Sequence, residues 1–200
     1  LVRIGCDPAR LSVVPNGVDL EFLSGDFGQP EENTLIYNGA LTYSANFDAM
    51  AYFLGSVFPL IREECPAVRL YITGKTSGVP VEQLPNLDGV VFTGYLMDVR
   101  PRVACAWTSI VPLRVGGGTR LKVLESMALG TPVVSTSKGA EGLNLRPGQD
   151  LLIADTPVGF ASAVLRLLSN AVMRREMAAA ARRTVEAAYS WNTIGQQFNG

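Results

Sequence analysis

Two hundred residues, 48% of them hydrophobic and 18% charged, make one ordinary globular domain with ample material for a core. A net charge of −1, with Lys and Arg scattered and no basic tract, argues against nucleic acid as a main partner. The chain has no His, which excludes a Ser-His-Asp triad and a zinc site, and its three cysteines lie far apart without a CxxC pair.

In chain order, Leu11–Val14 is a short apolar run ended by the turn signal Pro15-Asn16-Gly17. Leu35–Tyr37 ends at Asn38-Gly39 and reads as the first full strand. Asn46–Glu63 is helical by the spacing of Phe47, Met50, Ala51, Leu54 and Phe58. Within it, Ala49–Ile61 is the most membrane-like stretch, but it is too short to span a bilayer and is broken by Gly55 and Pro59. Val68–Thr73 is a strand running into Gly74, and Val90–Thr93 a strand running into Gly94. Met97–Ala104 is expected as a short helix with Pro101 in its first turn. Trp107–Val111 is the fourth strand, Arg120–Leu129 a helix stopped by Gly130, and Val133–Ser135 and Leu151–Ala154 the last strands. Pro157–Leu168, Ala171–Ala188 and Trp191–Phe198 complete the chain as helices. Strands alternating with helices predict an α/β domain, a parallel sheet covered on both faces, with ligands beyond the carboxyl ends of its strands. Thr73-Gly74, Thr93-Gly94, Gly39 and Gly116–Thr119 would gather there. Cys65 and Cys105 are expected in the core, in keeping with a reducing cytosol. Leu1 is not an initiator Met and no leader peptide is legible, so a piece of a longer protein is expected.

The segment from Val111 to Val134 carries the chemistry. It reads strand, three glycines, helix, Gly-Thr-Pro turn, strand. A glycine-rich turn that opens a helix after a strand offers backbone N–H groups and a positive dipole end to an anion. Arg120 and Lys122 stand at the start of that helix, where cations are unfavourable unless something negative is bound. A diphosphate above Gly116, Gly117 and Gly118 would account for them, with Lys122 as a point charge and Arg120 as a fork.

At 100° per residue, Leu121, Leu124 and Ala128 share the side that suits the sheet, and Lys122, Glu125 and Ser126 share another. Glu125 offers two acceptor oxygens suited to a cis-diol such as a ribose. The plainer alternative is a solvated Lys122–Glu125 pair worth about 0.2–0.5 kcal/mol. For the glycines the alternative is a tight turn without a ligand.

The stretch PLRVGGGTRLKVLESMALGTPVVSTSKGAEGL resembles the donor-site signature of glycosyltransferase family 4, retaining enzymes of the two-lobed B-type fold. VVPNGVDLEFL, LIYNGALTYSANFDAM, RLYITGK, VVFTGYLMDV and the closing YSW follow in the family's order, so the resemblance covers nearly the whole chain. It implies a Rossmann-like domain over 1–200, the C-terminal half of a two-lobed transferase. Residues 1–20 would then form the interlobe linker and first strand, and 190–200 the closing helix, with the N-terminal acceptor lobe absent from this chain.

It further implies an NDP-sugar as donor substrate, no required cofactor and no metal. Its partners would be the missing lobe and an acceptor glycan or lipid-linked sugar, in the cytoplasm and at the inner membrane face for the full-length protein. On this likeness Glu125 matches the second Glu of the family's Glu-x7-Glu motif, which holds the ribose hydroxyls. Leu124 beside it falls at the donor too. Gly39 and Gly116–Thr119 face sugar and diphosphate, and Thr73, Gly74, Gly94 and Tyr95 flank the base.

Two departures stand out. Gly117 occupies the place of the first motif Glu, and Gly39 through Asn46 lacks the Arg and Lys that many members carry after the first strand. Arg120 and Lys122 are expected to replace that pair and to stabilise the leaving diphosphate; no acid or base is assigned. A fold retained as a nucleotide-binding module without catalysis is one alternative. Another nucleotide-sugar enzyme such as an epimerase is a second, disfavoured by the lack of His.

Overall fold

The computed structural model describes Gly5, Asp7 and residues 16–198; the expected run at Leu11–Val14 and Cys6 lie outside the described residues. Six strands form one parallel sheet: β1 (Glu31–Asn38), β2 (Arg69–Thr73), β3 (Val90–Gly94), β4 (Ala106–Val111), β5 (Val133–Ser135) and β6 (Leu152–Ile153). Their order is β3-β2-β1-β4-β5-β6, and every pairing between neighbours is parallel. The chain winds outward from β1 through β3, returns, and winds the other way from β4 through β6. That reversal opens a crevice between the carboxyl ends of β1 and β4, where ligands bind in doubly wound Rossmann-like sheets.

The helices are α1 (Ser44–Tyr52), α2 (Phe58–Glu64), α3 (Arg100–Ala104), α4 (Leu121–Ala128), α5 (Pro157–Ser169), α6 (Ala171–Ala188) and α7 (Trp191–Phe198). Alternation along β1 sorts them. Leu35 and Tyr37 join the main core with Phe53, Phe58 and Phe160, so α1, α2 and α5 cover one face. Ile36 packs with Val103 and Ala106 on the other. There α3 and α4 lie, with Ser126 Oγ of α4 donating to Ser109 Oγ of β4 at 2.8 Å. The central strands are buried on both sides, hence their near-continuous apolar runs.

Two helices and two cysteines differ from the sequence reading. The helix expected over Asn46–Glu63 is divided by a π-helical turn at Phe53–Val57. Pro59 has no N–H to give to the carbonyl of Gly55, so the α-register cannot run through unbroken. The turn still buries Phe53, Leu54 and Val57, and Phe53 meets Phe160 edge-on at 5.8 Å between ring centroids. The helix expected from Met97 begins only at Arg100, because the Asp98 carboxylate accepts the Arg100 N–H at 3.0 Å and pairs with its guanidinium at 2.8 Å. Cys65 and Cys105 are half-buried rather than core; the Cys105 thiol donates to the Phe27 carbonyl at 3.0 Å. No described helix is long and apolar enough to cross a membrane.

The strand ends are knitted by backbone. Gly39 N–H donates to Thr73 O at 3.2 Å, Leu41 N–H to Lys75 O at 3.0 Å, and Gly74 N–H to Gly94 O at 2.9 Å. Gly74 adopts φ +114°, and a Cβ there would stand 2.7 Å from Ala40 N and from the Gly39 carbonyl carbon. Both obstacles are backbone, which cannot step aside. Gly74→Ala should therefore cost about 2–5 kcal/mol of stability, strain and overpacking together. Urea unfolding measures it; a loss under about 1 kcal/mol would show that these loops separate easily.

Candidate functional site

Two clefts open among the loops at the carboxyl ends of the strands. One, of about 410 Å³, lies between the first turns of α1 and α4, with Gly116, Gly117 and Thr119 on its wall. The other, of about 340 Å³, is lined by Asn38, Thr73, Gly74, Lys75 and Tyr95. Thus the loops after β1, β2, β3 and β4 do converge, as their glycines predict. Neither α1 nor α4 has a side-chain cap at its N-terminus or an acid in its first turn. Two positive helix ends therefore line one cleft with no acid in either first turn.

Lys122 stands in this cleft, with its side chain carried over the end of β1 rather than out into water. Its Nζ donates to Tyr37 Oη and to Asn46 Oδ1, both at 3.1 Å, and lies 4.3 Å from the Tyr37 ring centroid. Tyr37 Oη donates in turn to Asn46 Oδ1 at 2.7 Å, and Asn46 Nδ2 to Ala40 O at 2.8 Å. Burial pushes the Tyr37 phenol far up, so it remains a neutral donor. Burial also pulls the Lys122 ammonium down to about 8; Arg120 adds to this and Glu125 opposes it. Holding that charge at neutral pH costs the fold about 3 kcal/mol.

The solvated Lys122–Glu125 pair is thus not what forms, and the stripe of Lys122, Glu125 and Ser126 does not face solvent. Ser126 is buried on β4, and Glu125 is half-buried, its carboxyl pushed up by burial and drawn back by Lys122. Leu124 is fully buried in the core and presents no side-chain surface to a ligand.

Arg120 stands at the N-cap position of α4 instead of in its first turn, and its side chain is only 5% exposed. The guanidinium donates to Gly117 O at 3.1 Å, Gly116 O at 3.2 Å and Glu141 Oε2 at 3.2 Å, while Nε is buried without a partner. It holds the glycine turn from inside rather than presenting an open fork. With its carbonyls held by Arg120, the turn keeps Gly116 at φ +102° and Gly118 at φ +84°. Thr119 Oγ1 accepts from Asn16 Nδ2 at 2.7 Å. A Cβ at Gly117, which stands where the first motif Glu would fall, meets nothing within 4 Å.

In the second cleft Thr73 is buried, its hydroxyl 3.2 Å from Asn38 Oδ1, and Gly94 turns the chain at φ +68°. Tyr95 is 66% exposed, with Lys75 Nζ 5.9 Å above its ring, a flat surface on which a base can stack. Tyr37, Asn46 and Lys75 are the residues that sequence reasoning missed. Only the empty positions around them, Gly39, Ala40 and Ala45, hinted that something from elsewhere fills the space. Among the described residues no three His, Cys, Asp or Glu side chains cluster to hold a metal ion.

The doubly wound parallel sheet, with two clefts at the carboxyl ends of its strands, defines a Rossmann-like α/β domain. The model of a family described as glycosyl transferases group 1 matches residues 32–170, and the chain belongs to that family. D-inositol 3-phosphate glycosyltransferase from Geodermatophilus obscurus is 27% identical over 94% of this chain and 46% of its own length. Phosphatidyl-myo-inositol mannosyltransferase from Mycobacterium leprae is 28% identical over 92% of this chain and 51% of its own. The chain spans about half the length of these relatives.

Among solved structures, Anabaena HepE in complex with UDP and glucose superposes with a TM-score of 0.79 at 14% identity, over 99% of this chain and 58% of that one. Sucrose-phosphate synthase from Thermosynechococcus elongatus does so with a TM-score of 0.74 at 19% identity, over 93% and 50%. At these identities the likeness is one of fold.

Proposed function

We propose that this chain is the C-terminal, donor-binding lobe of a retaining glycosyltransferase that takes a nucleoside diphosphate sugar. The observation that carries the reading is the convergence of two uncapped helix N-termini and the Lys122 ammonium on one cleft beside Tyr95. The diphosphate lies in the first cleft and the base against Tyr95 in the second. Glu125, one turn along α4 from Lys122, serves the ribose hydroxyls. That HepE, on the same fold, was solved with UDP and glucose supports a nucleotide sugar as the ligand class.

Breaking the sugar–phosphate bond leaves negative charge on the departing phosphate. Lys122 and the helix N–H groups are in place before that charge develops, so they stabilise it without reorganising. The acceptor hydroxyl, of a glycan or a lipid-linked sugar, attacks from a cleft whose other wall is an N-terminal lobe. The lobe alone binds donor but transfers little. No cofactor is called for, and the full-length enzyme works in the cytoplasm, at the inner membrane face where its acceptor is lipid-linked.

Calorimetry and thermal shift with UDP, GDP, ADP and CMP test this, because a ligand of the folded state raises its stability by mass action. One base should be preferred, and Glu125→Ala should weaken its nucleotide about tenfold or more, the worth of lost charged hydrogen bonds. Absence of any response at millimolar nucleotide, or a Glu125→Ala variant that binds like the wild type, would refute the assignment.

A further inference from the structure

Gly39 follows β1, against the ends of Lys122 and Asn46, two residues that line the first cleft. Its backbone is not in the left-handed region that calls for glycine, so conformation does not explain it. Space does. A Cβ built there would stand 2.6 Å from Lys122 Nζ and 3.1 Å from Asn46 Nδ2. The volume that any other residue would fill is taken by the ammonium arriving from α4.

The seat around that volume is closed on several sides. The Tyr37 ring lies beneath the ammonium, and Tyr37 Oη and Asn46 Oδ1 accept two of its N–H groups. Asn46 cannot swing away, since its Nδ2 is tied to Ala40 O at 2.8 Å. An ammonium has three N–H groups, so one remains for a ligand in the cleft that Asn46 and Lys122 both line. The turn from Gly39 to Asn46 itself contributes no cation.

We propose that Gly39 is a positioning residue for the donor diphosphate: its missing side chain creates the seat in which Tyr37 and Asn46 hold the Lys122 ammonium between the two helix N-termini. This rests on the donor-site reading above, but the seat can be examined without any ligand. The group that a Gly39 side chain would strike hardest is the end of the flexible Lys122 side chain, so Gly39→Ala should fold and expel the ammonium toward water.

The first arm is an NMR titration of ¹³C-labelled lysine side chains, the Lys122 signal being the one that Lys122→Met removes. The charged or titratable groups around it are Tyr37 from β1 and Arg120 and Glu125 from its own segment. In the wild type it should titrate near 8, and in Gly39→Ala it should return toward 10.5. An unchanged titration overturns the proposal. The second arm is calorimetry with UDP, GDP and ADP against their nucleosides. Gly39→Ala should lower the affinity of the preferred diphosphate about tenfold or more, leave the nucleoside unchanged, and add nothing in a Lys122→Met background.

Additive losses would mean that Gly39 acts on the ligand directly, and would overturn the proposal. Tyr37→Phe, which removes one acceptor within the same packing, should act in the same direction and guards against a folding artefact in Gly39→Ala. A titration shift in a protein that binds no nucleotide would show the seat to be real and its assignment to a diphosphate wrong. Failure of the donor reading is thereby separated from failure of the seat.

Discussion

Replacing Lys122 by Met should make the protein more resistant to denaturant at neutral pH while removing most of its affinity for a nucleoside diphosphate. The stability gain follows from burial. The ammonium titrates near 8 when folded and near 10.5 as an ordinary lysine, so at pH 7 the fold carries a charge it would rather lose. The unfolded chain binds more protons between those two values. Wild-type stability therefore rises with pH from about 8 to 10.5, and the penalty is fully present below that window. Met fills similar volume without the charge, and Tyr37 and Asn46 keep their mutual hydrogen bond, so nothing is orphaned.

The binding loss follows from the same geometry. A charged contact to a buried phosphate is worth about 2–4 kcal/mol, or roughly 30- to 1,000-fold in affinity. In the wild type, diphosphate affinity should fall as pH rises above about 8, since binding must then restore a proton to Lys122. The slope is at most about tenfold per pH unit. In Lys122→Met the same curve should be flat. A pH-independent wild-type affinity would show that Lys122 does not meet the phosphate. Urea unfolding at pH 7 reads the stability arm; a destabilised Lys122→Met would mean that the ammonium's contacts outweigh its burial.

Arg120→Ala should be damaging in both respects. Its guanidinium holds the carbonyls of Gly116 and Gly117 and pairs with Glu141. Removing a nearly buried hydrogen-bonding cation from such a network costs about 3–5 kcal/mol. The glycine turn, freed of its inner tether, loses the conformation that aims its N–H groups, and each flexible glycine adds entropy to the unpinned state. Diphosphate binding should fall much further than nucleoside binding; equal losses for the two would refute a role at the diphosphate. Arg120→Lys should not rescue, because a single ammonium cannot span the two carbonyls and the Glu141 carboxylate as the planar fork does. Rescue by Lys would show that charge alone matters at this position and that the tether does not.

The parallel alternation of strands and helices, the glycines that close β1, β2 and β3, and the Lys122–Glu125 spacing were all legible in the chain. Each is a local pattern: periodicity fixes which way a side chain leaves its own helix or strand, and glycine marks where backbone must turn or draw close. Trp191–Phe198 and Ala171–Ala188 form as their patterns predict for the same reason. The π-helical turn at Phe53–Val57 was less visible, because apolar spacing does not show a lost hydrogen bond.

What the pattern along α4 could not supply was the neighbour each side chain would meet. Lys122 and Arg120 look alike in sequence, two cations at one helix start. Tertiary structure parts them: Lys122 crosses to Tyr37 and Asn46, residues 85 and 76 positions away, and Arg120 turns back on its own loop. Leu124 was drawn toward the donor by its place beside Glu125, yet it faces the core. Strand order decided this division. Only the pairing of β1 with β4, formed between segments some seventy residues apart, brings the bare Gly39 under the start of α4. Local sequence governs how each element is built, whereas non-local pairing governs which elements become neighbours, and the anion seat belongs to the second kind of information.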